Sequence, residues 1–419
     1  MSAYQTLMVG LCFILNFSDG IDVLIVSFSS SEIIQEWGLS HTQMGYIFSM
    51  GLAGMTLGCF ALAPQADHFG RRNVFLTAVG LMVIGMFGAG LSDSYSMMLF
   101  WRFLTGLGIG GIIPTMTATA AEYSSAKFRD FNVGLVQAGW PVGAIFIGLI
   151  CARYIPIYGW KFAFIVSGFF SLGIFLLVYF FMTDSMEFML KNPKKYPLGK
   201  VNQVRLKMGL GELETFPKLA EKREVTSYRT LFSSYFRSLT LKSWIAAFFG
   251  FMTLYTLMSW VPEIAKNAGL SFQMAALTGI TLNLGAAIGS ASIGALGGRF
   301  GMRQVQLTFM VTAFAIMLVY AFSSLNPWVI ITLIFLIGIF VQGGFNGISP
   351  ILSRIYPAEI RTTGMGFAIG FGRFGAILGP LLFGFLVDEG FSIQTLFILF
   401  SIPLLVMGSA IWSLKSDKL

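Results

Sequence analysis

The sequence predicts an all-α membrane protein in which twelve transmembrane helices form two six-helix halves related by a repeat. Three observations predict it: a low charge content, twelve long apolar segments, and sequence similarity between the two halves. Of the 419 residues, 11% are charged and 56% are hydrophobic, whereas an average soluble protein has about a quarter of its residues charged. So few charges cannot cover a soluble protein of this length, which excludes soluble enzymes, disordered chains and secreted disulfide-stabilised domains.

Twelve segments are apolar enough to cross a bilayer, whose hydrocarbon core of about 30 Å needs roughly 20 apolar residues per helix. Glycine and proline inside them are tolerated in membranes because neighbouring groups satisfy the freed backbone. Transmembrane β-strands would be shorter and would alternate in hydrophobicity. The predicted spans are, in chain order, 7–28, 44–63, 74–91, 98–121, 133–152, 162–182, 244–261, 274–296, 305–322, 329–348, 365–387 and 396–414.

The distribution of Lys and Arg predicts the orientation. Twelve of the 27 basic residues lie in segment 183–242, and ten more lie in loops on the same side if both termini lie there. Cytoplasmic loops carry the excess of Lys and Arg in membrane proteins. We therefore expect a multi-pass protein of the bacterial cytoplasmic (inner) membrane with both termini in the cytoplasm. The net charge of +8 then reflects topology and does not indicate a nucleic-acid partner.

The two halves repeat each other. Residues 103–111 align with 335–344 at an offset of 232, where Arg129 also matches Arg361, and residues 68–72 align with 299–303 at an offset of 231. Two six-helix halves joined by a charged linker are typical of secondary transporters. We predict an N-terminal half at 1–190, a cytoplasmic linker with short amphipathic helices at 191–242, and a C-terminal half at 243–419.

Two carboxylates interrupt the first span. Asp19 and Asp22 lie three residues apart near its middle, on one helix face, and Asn16 continues that face one turn earlier. A charge at this depth is costly unless it is paired, hydrated or protonated. We predict that the two carboxyl groups couple transport to protons, and the alternative is a permanent pair with a buried arginine.

Two arginines lie inside spans. Arg373 lies well within span eleven, and Arg102 lies roughly one turn from the outer end of span four. A guanidinium group matches a carboxylate with two parallel hydrogen bonds. Either arginine could bind an anionic substrate or neutralise Asp19 and Asp22, and the sequence leaves both roles open.

Charged residues at the cytoplasmic ends of the spans predict a gate. Glu122 and Arg354 occupy equivalent repeat positions with opposite charge, which suits a latch between the halves, and the alternative is individually solvated charges. Asp67 could cap or pair near a helix end while Arg71 lies at the lipid headgroups. The predicted gating residues are Asp67, Gly70, Arg71, Glu122, Arg129, Arg354, Glu359 and Arg361.

The remaining motifs do not indicate catalysis. Cys12, Cys59 and Cys151 lie in apolar segments without disulfide or metal-ligand spacing. The glycine-rich run at 106–111 lies inside a span, where small residues let helices approach closely, so it does not indicate a dinucleotide loop. Neither a nucleophile–base set nor a nucleotide-binding loop is present. We therefore expect no enzyme activity and no cofactor or metal, with the proton as coupling ion.

Two motifs carry a family resemblance. The segment Asp-His-Phe-Gly-Arg-Arg at 67–72 resembles a signature of the major facilitator superfamily, apart from His68, where that family usually has Arg. Arg102 followed by Gly106, Gly108 and Gly110 resembles a second signature of that superfamily. The resemblance covers essentially the whole chain and implies the major facilitator fold.

The resemblance narrows when further motifs are added. The Asp-Gly-Ile-Asp motif at 19–22, the 67–72 loop, Arg102, and segment 355–366 followed by Arg373 are together similar to the aromatic acid:H⁺ symporter family. By this resemblance, positions important for transport are Asp19, Asp22, Asp67, Arg102, Glu122, Arg361 and Arg373. The expected substrate-binding residues are Asp22, Arg102, Gln137, Trp140, Arg373 and Phe374, the aromatic ones lining a pocket for a ring.

The sequence therefore predicts a proton-coupled symporter that imports an organic acid anion by alternating access. The resemblance implies an aromatic acid such as benzoate or hydroxybenzoate, or a ring-cleavage dicarboxylate such as cis,cis-muconate. The expected partners are this small acid, protons and membrane lipid, and the protein is expected to be a monomer. The alternatives are a sugar or polyol facilitator or another organic-ion transporter of the same fold, and more remotely a non-transporting membrane sensor.

Overall fold

The computed structural model describes residues 1–125, 127–217, 228–323, 326–357 and 360–414. Within these ranges the regular structure is helical, and no β-strand occurs in them. Two short 3₁₀ turns lie at Ala63–Gln65 and Tyr228–Phe232. The α-helices are, in chain order, α1 (Ala3–Trp37), α2 (His41–Ala61), α3 (Ala66–Phe69), α4 (Arg71–Gly90), α5 (Tyr95–Tyr123), α6 (Arg129–Tyr158), α7 (Trp160–Phe181), α8 (Met186–Lys191), α9 (Leu198–Lys207), α10 (Arg237–Asn267), α11 (Phe272–Phe300), α12 (Met302–Phe322), α13 (Pro327–Asn346), α14 (Ile348–Ile355), α15 (Arg361–Asp388) and α16 (Ile393–Trp412).

Twelve helical stretches of the described ranges are long and apolar enough to cross a membrane. They coincide one by one with the twelve predicted spans and confirm the predicted fold class; α3 continues the stretch of α2, and α14 that of α13. Most helices run beyond the predicted segments, and α1 ends at Trp37 rather than at residue 28. Backbone hydrogen bonding continues through polar helix ends that hydropathy alone leaves out.

One compact unit comprises Met1–Val23, Ala53–Ala144 and Lys161–Arg223. Its core contains side chains from α1, α4 and α5, among them Leu15, Phe75 and Met116. The short helices α8 and α9 form a small apolar cluster around Tyr196, on which Tyr4 of α1 also packs. This unit therefore holds most of the first six spans together with the start of the predicted linker.

A second compact unit comprises Leu24–Leu52, Ile145–Trp160 and Glu224–Leu419. Within it α10 packs along α15, α11 along α13, and α12 along α16. The indole Nε1 of Trp260 donates to the carbonyl oxygen of Pro380 at 2.9 Å and ties α10 to α15. Parts of α1, α2 and α6 belong to this unit, and the predicted boundaries at 190 and 242 stay a prediction.

Glycines at repeat-equivalent positions confirm the internal repeat. A Cβ atom at Gly54 of α2 would overlap the backbone oxygen of Phe103 on α5. The equivalent residue Gly285 of α11, 231 positions later, faces the backbone oxygen of Phe335 on α13 in the same way. Both pairs of helices touch backbone to backbone, which only small residues allow. The two halves thus repeat a helix–helix contact as well as a motif.

Candidate functional site

The middle of α1 carries both predicted proton-coupling residues. Asp19 and Asp22 are 2% and 0% exposed, and α1 is continuous through them. Between them, a Cβ atom at Gly20 would overlap the carbonyl oxygen of Trp140 on α6. Asn16 donates from Nδ2 to the carbonyl oxygen of Val136 at 2.7 Å. The Asn16 side chain therefore joins α1 to α6 instead of extending the carboxylate set, and close packing on α6 holds the two aspartates in place.

Arg102 on α5 lies beside Asp22. The guanidinium is 4% exposed, and its Nη2 donates to the backbone carbonyl oxygen of Asp22 at 2.9 Å. Arg102 and Asp19 are the charged neighbours that act electrostatically on the Asp22 carboxyl group. Among the described residues, neither carboxylate oxygen of Asp22 has a hydrogen-bond partner, and Nε and Nη1 of Arg102 have none. The pair thus keeps acceptors and donors available inside the protein.

The predicted ring-pocket residues of α6 differ in their exposure. Gln137 is exposed and its Nε2 donates to Oγ1 of Thr117 on α5 at 3.4 Å. Trp140 is partly buried, and its backbone carbonyl lies against Gly20 of α1. Both residues therefore lie on the helix that supports the α1 carboxylates, Gln137 three residues before Trp140.

Arg373 of α15 lies in the second unit. Its side chain is 8% exposed, and its guanidinium carbon lies 5.9 Å from the centroid of the Phe251 ring on α10. The next residue, Phe374, is 53% exposed and packs against Phe371, whose ring stacks on Trp244 at 4.8 Å. The arginine is thus buried against an aromatic face, whereas Phe374 belongs to an exposed row of rings.

At the start of α4, the predicted gate contains an ion pair. Arg71 of α4 pairs through Nη2 with the carboxylate of Glu122 on α5, and its Nη1 donates to Oγ1 of Thr119 at 3.2 Å. Arg71 is therefore paired with an acidic residue of α5, and its location at the lipid headgroups stays a prediction. The predicted latch between Glu122 and Arg354 stays a prediction.

Asp184 has the helix-capping role expected of Asp67. Asp67 is exposed in the first turn of α3, whereas Asp184 Oδ1 accepts from the backbone nitrogen of Arg72 at 2.9 Å. Gly70, with φ of 94°, is the N-cap residue of α4, and a Cβ atom there would overlap the Asp184 carboxylate. The Tyr196 hydroxyl donates to Oδ2 of Asp184. Sequence reasoning missed Asp184 because the helix that it caps lies more than a hundred residues earlier in the chain.

The remaining gating residues lie at helix ends. Arg129 begins α6 and Arg361 begins α15, and both side chains are exposed. Nε of Arg361 donates to the backbone oxygen of Tyr356 at 3.3 Å. Arg354 is exposed in the last turn of α14, and Glu359 lies outside the described residues. The two equivalent arginines thus occupy the same place in each half, at the start of the fifth span and the eleventh.

Comparison with known proteins places this architecture in a family. The sequence profile of the Major Facilitator Superfamily matches residues 12–292 and 243–418. The 4-hydroxybenzoate transporter PcaK of Acinetobacter baylyi is 30% identical over 424 residues, which cover 98% of this chain and 91% of that protein. The gallate transporter of Pseudomonas putida is 29% identical over 418 residues, which cover 98% of this chain and 92% of that protein. A crystal structure of a D-xylose-proton symporter covers 99% of both chains with a TM-score of 0.79 and 15% identity, which shows a shared fold.

Proposed function

The chain belongs to the Major Facilitator Superfamily and is a membrane transporter rather than an enzyme, and from that premise we propose that it imports an aromatic or related organic acid anion together with protons. The relatives support the class of substrate: by their names they transport 4-hydroxybenzoate, gallate and, in another relative from Acinetobacter baylyi, benzoate. Each of these substrates is a carboxylic acid on an aromatic ring.

The buried pair of Asp22 and Arg102 is the observation that carries the proposal. A neutral sugar needs no buried carboxylate and guanidinium, whereas an acid transported with a proton needs a proton acceptor and a cation. Asp22 offers two carboxylate oxygens and Arg102 offers two nitrogen atoms that have no hydrogen-bond partner among the described residues. A proton held on Asp19 or Asp22 and a carboxylate bound by an arginine would each offset a buried charge.

Arg373 is the proposed anchor for the substrate carboxylate. It is always charged, it is buried, and its guanidinium lies over the Phe251 ring, which restricts its orientation. A guanidinium held this way can offer two parallel hydrogen bonds to a carboxylate. A carrier loaded with only the proton or only the anion would leave a charge uncompensated within the membrane, which is the proposed basis of coupling.

The remaining parts of the proposal concern the whole chain. We propose that the multi-pass protein lies in a bacterial cytoplasmic membrane with both termini in the cytoplasm, that it acts as a monomer, and that the proton is its coupling ion. We also propose the division into halves at 1–190 and 243–419 with a cytoplasmic linker between them. The excess of Lys and Arg in segment 183–242 supports this orientation.

Uptake by cells tests the substrate and the coupling together. Accumulation of a labelled hydroxybenzoate is expected to fall on addition of a protonophore and to be competed by other aromatic acids but not by xylose. Muconate in the panel separates monocarboxylates from ring-cleavage dicarboxylates. Competition by sugars with no response to the protonophore would contradict the proposal and favour a sugar facilitator.

Asp22→Asn tests the proton site. The variant is expected to lose uphill accumulation by roughly tenfold or more while it retains exchange of labelled for unlabelled substrate, because exchange needs no net proton movement. Asp93→Asn is the matched control, since Asp93 lies at the surface in an exposed pair with Lys161. Full protonophore-sensitive accumulation by Asp22→Asn would overturn this assignment.

A further inference from the structure

A third buried carboxyl group lies near the end of α10. Glu263 lies two residues beyond the predicted seventh span, yet it is 4% exposed and still within the helix. Its Oε1 accepts a hydrogen bond from Nδ2 of Asn267 at 3.1 Å. The transport steps described above make no use of this group, so its burial needs an explanation of its own.

Glu263 lies next to a contact between α1 and α10 inside the second unit. Oγ of Ser27 on α1 lies 2.8 Å from the backbone oxygens of both Met258 and Ser259 on α10. Positions 27 and 258 are 231 residues apart, so the two helices meet at repeat-equivalent positions. The contact lies in the C-terminal part of both α1 and α10.

The Ser30 hydroxyl links this contact to Glu263. Oγ of Ser30 lies 2.8 Å from the backbone oxygen of Ser27 and 3.4 Å from Oε2 of Glu263. Oγ of Ser30 has donor geometry toward both oxygens, but a hydroxyl has one proton to donate. An ionised Glu263 and the Ser27 carbonyl therefore compete for that proton. A protonated Glu263 can donate to Oγ of Ser30, so that both hydrogen bonds form at once.

The charged neighbours of Glu263 are engaged elsewhere. Lys266 of α10 pairs with Glu32 of α1 at 3.8 Å. His41 at the start of α2 pairs through Nδ1 with Asp388 at the end of α15 at 3.1 Å, and Asp388 also accepts from the backbone nitrogen of His41 at 3.0 Å. Within the described ranges, Glu263 takes part in none of the ion pairs. An ionised Glu263 would therefore be a buried charge without a cation bound to it.

We propose that Glu263 is a second proton-binding site, whose protonation closes the α1–α10 contact by letting Glu263 donate to Ser30. The inference rests on the proposed transport cycle, in which this end of the bundle faces the outside. A proton taken up from outside would join α10 to α1 and favour closure behind an entering substrate. Loss of that proton weakens the contact and favours reopening.

The test uses Ser29→Cys as a reporter in a chain whose three native cysteines are replaced by alanine. Ser29 is fully buried on α1, and its hydroxyl has no hydrogen-bond partner among the described residues. Alkylation by a membrane-impermeant maleimide is measured in cells at pH 5.5 and pH 8. Each rate is divided by the rate for the same protein unfolded in detergent at the same pH, which removes the titration of the thiol itself. The normalised rate is expected to be about fivefold lower at pH 5.5.

Two variants at the proposed contact give opposite expectations. Glu263→Gln keeps a donor toward Ser30 and an acceptor toward Asn267, so labelling is expected to be slow at both pH values. Ser30→Ala removes the acceptor, so labelling is expected to be fast at both. Asp93→Asn is the control, because Asp93 is an exposed carboxylate paired with Lys161, and the pH response is expected to remain.

Three results would overturn the proposal: a pH response that survives Glu263→Gln, loss of the response in Asp93→Asn, or loss of the response in His41→Gln but not in Glu263→Gln. The last result would place the titrating group at His41. Labelling requires no transported substrate, so a failure here leaves the proposed acid transport to be decided by the uptake experiments.

Discussion

Arg102 holds Asp22 through a backbone atom and leaves both carboxylate oxygens of that residue unoccupied by the described protein groups. A direct pair between the guanidinium and the carboxylate would have satisfied both groups within the protein. The contact that is present fixes the position of Arg102 without neutralising Asp22 by hydrogen bonds. At the scale of single residues, this arrangement supports the proposal that the site exchanges ligands and protons.

Arg102→Lys is expected to reduce initial uptake by roughly tenfold or more, although the positive charge remains. A lysine ammonium has one nitrogen atom, so it cannot reach the Asp22 carbonyl and also offer a separate planar donor pair. Uptake is measured at equal amounts of protein in the membrane. Arg153→Lys, at an exposed arginine, is the control and is expected to behave as the original chain; equal activity of both variants would contradict a positioning role of the guanidinium.

The buried charges were predictable from the sequence because each of them interrupts a long apolar segment. Asp19, Asp22, Arg102 and Arg373 are all buried as expected. Glu263 was not predictable in this way, since the drop in hydropathy after residue 261 suggests a loop. Burial there comes from neighbouring helices, which a single apolar segment does not reveal.

At the scale of helices, glycine sets the distance between α1 and α6. A Cβ atom at Gly143 of α6 would overlap the backbone oxygen of Phe17 on α1. The equivalent Gly375 of α15 faces Phe248 of α10 in the same way. Since Phe17 lies two residues before Asp19, this backbone contact determines where the carboxylates lie relative to α6.

Gly143→Ala is expected to destabilise the protein by about 1–3 kcal/mol, because the added methyl group must push α1 and α6 apart. Gly173→Ala in α7 is the matched control: apart from the backbone of its own helix, no atom lies within 4 Å of a Cβ there, and alanine favours helix by about 1 kcal/mol over glycine. The apparent Tm of the purified protein in detergent is expected to fall for the first variant and to hold or rise for the second. A fall of equal size in both would refute the packing argument.

The cap on α4 ties the linker helices to the first unit. Tyr196 lies outside the membrane spans. Burial raises the pKa of the Tyr196 hydroxyl, and its hydrogen bond to Asp184 raises this pKa further. A group whose pKa is raised on folding contributes stability that is present below its ordinary pKa and is lost as the pH rises through the raised value. This hydrogen bond is therefore expected to be insensitive to pH between about 6 and 9.

Tyr196→Phe is expected to release α8 and α9 to proteolysis about tenfold faster or more at neutral pH, since one hydrogen bond to a buried carboxylate contributes about 1.5–3 kcal/mol. The cleavage rate of membrane-embedded protein between residues 185 and 210 is the measurement. For the original chain, cleavage is expected to accelerate only in strongly alkaline buffer. Acceleration already at pH 8 would show that another group controls the docking.

At the scale of the molecule, the orientation is open to a direct measurement. Lys200→Cys places an exposed thiol in α9, and Gln273→Cys places one in the first turn of α11. An impermeant thiol reagent applied to intact cells is expected to label Gln273→Cys and to label Lys200→Cys only after permeabilisation, because the proposed orientation puts the basic segment in the cytoplasm. The reverse pattern would invert the topology.

The fold was predictable at this scale for a plain physical reason. The bilayer requires long apolar helices, so hydropathy reports them directly, and the repeat indicates two halves. Contacts across long separations, such as Asp184 capping α4 or Ser27 meeting Met258, leave no trace in a single sequence. The contacts that join helices far apart in the sequence are therefore known only from the structure.

The two halves repeat their helix–helix contacts but differ in the ionisable residues inside their spans. The backbone contacts of Gly54 and Gly143 recur at Gly285 and Gly375. Four ionisable residues inside the spans do not recur: Gly250, Thr253 and Ile334 stand where the second half would repeat Asp19, Asp22 and Arg102, and Pro141 stands where the first would repeat Arg373. Duplication of one ancestral six-helix unit, followed by divergence of the two copies, would explain this difference. In the proposed transport cycle, the first half carries the paired carboxylates for protons and the second half carries the arginine that binds the acid.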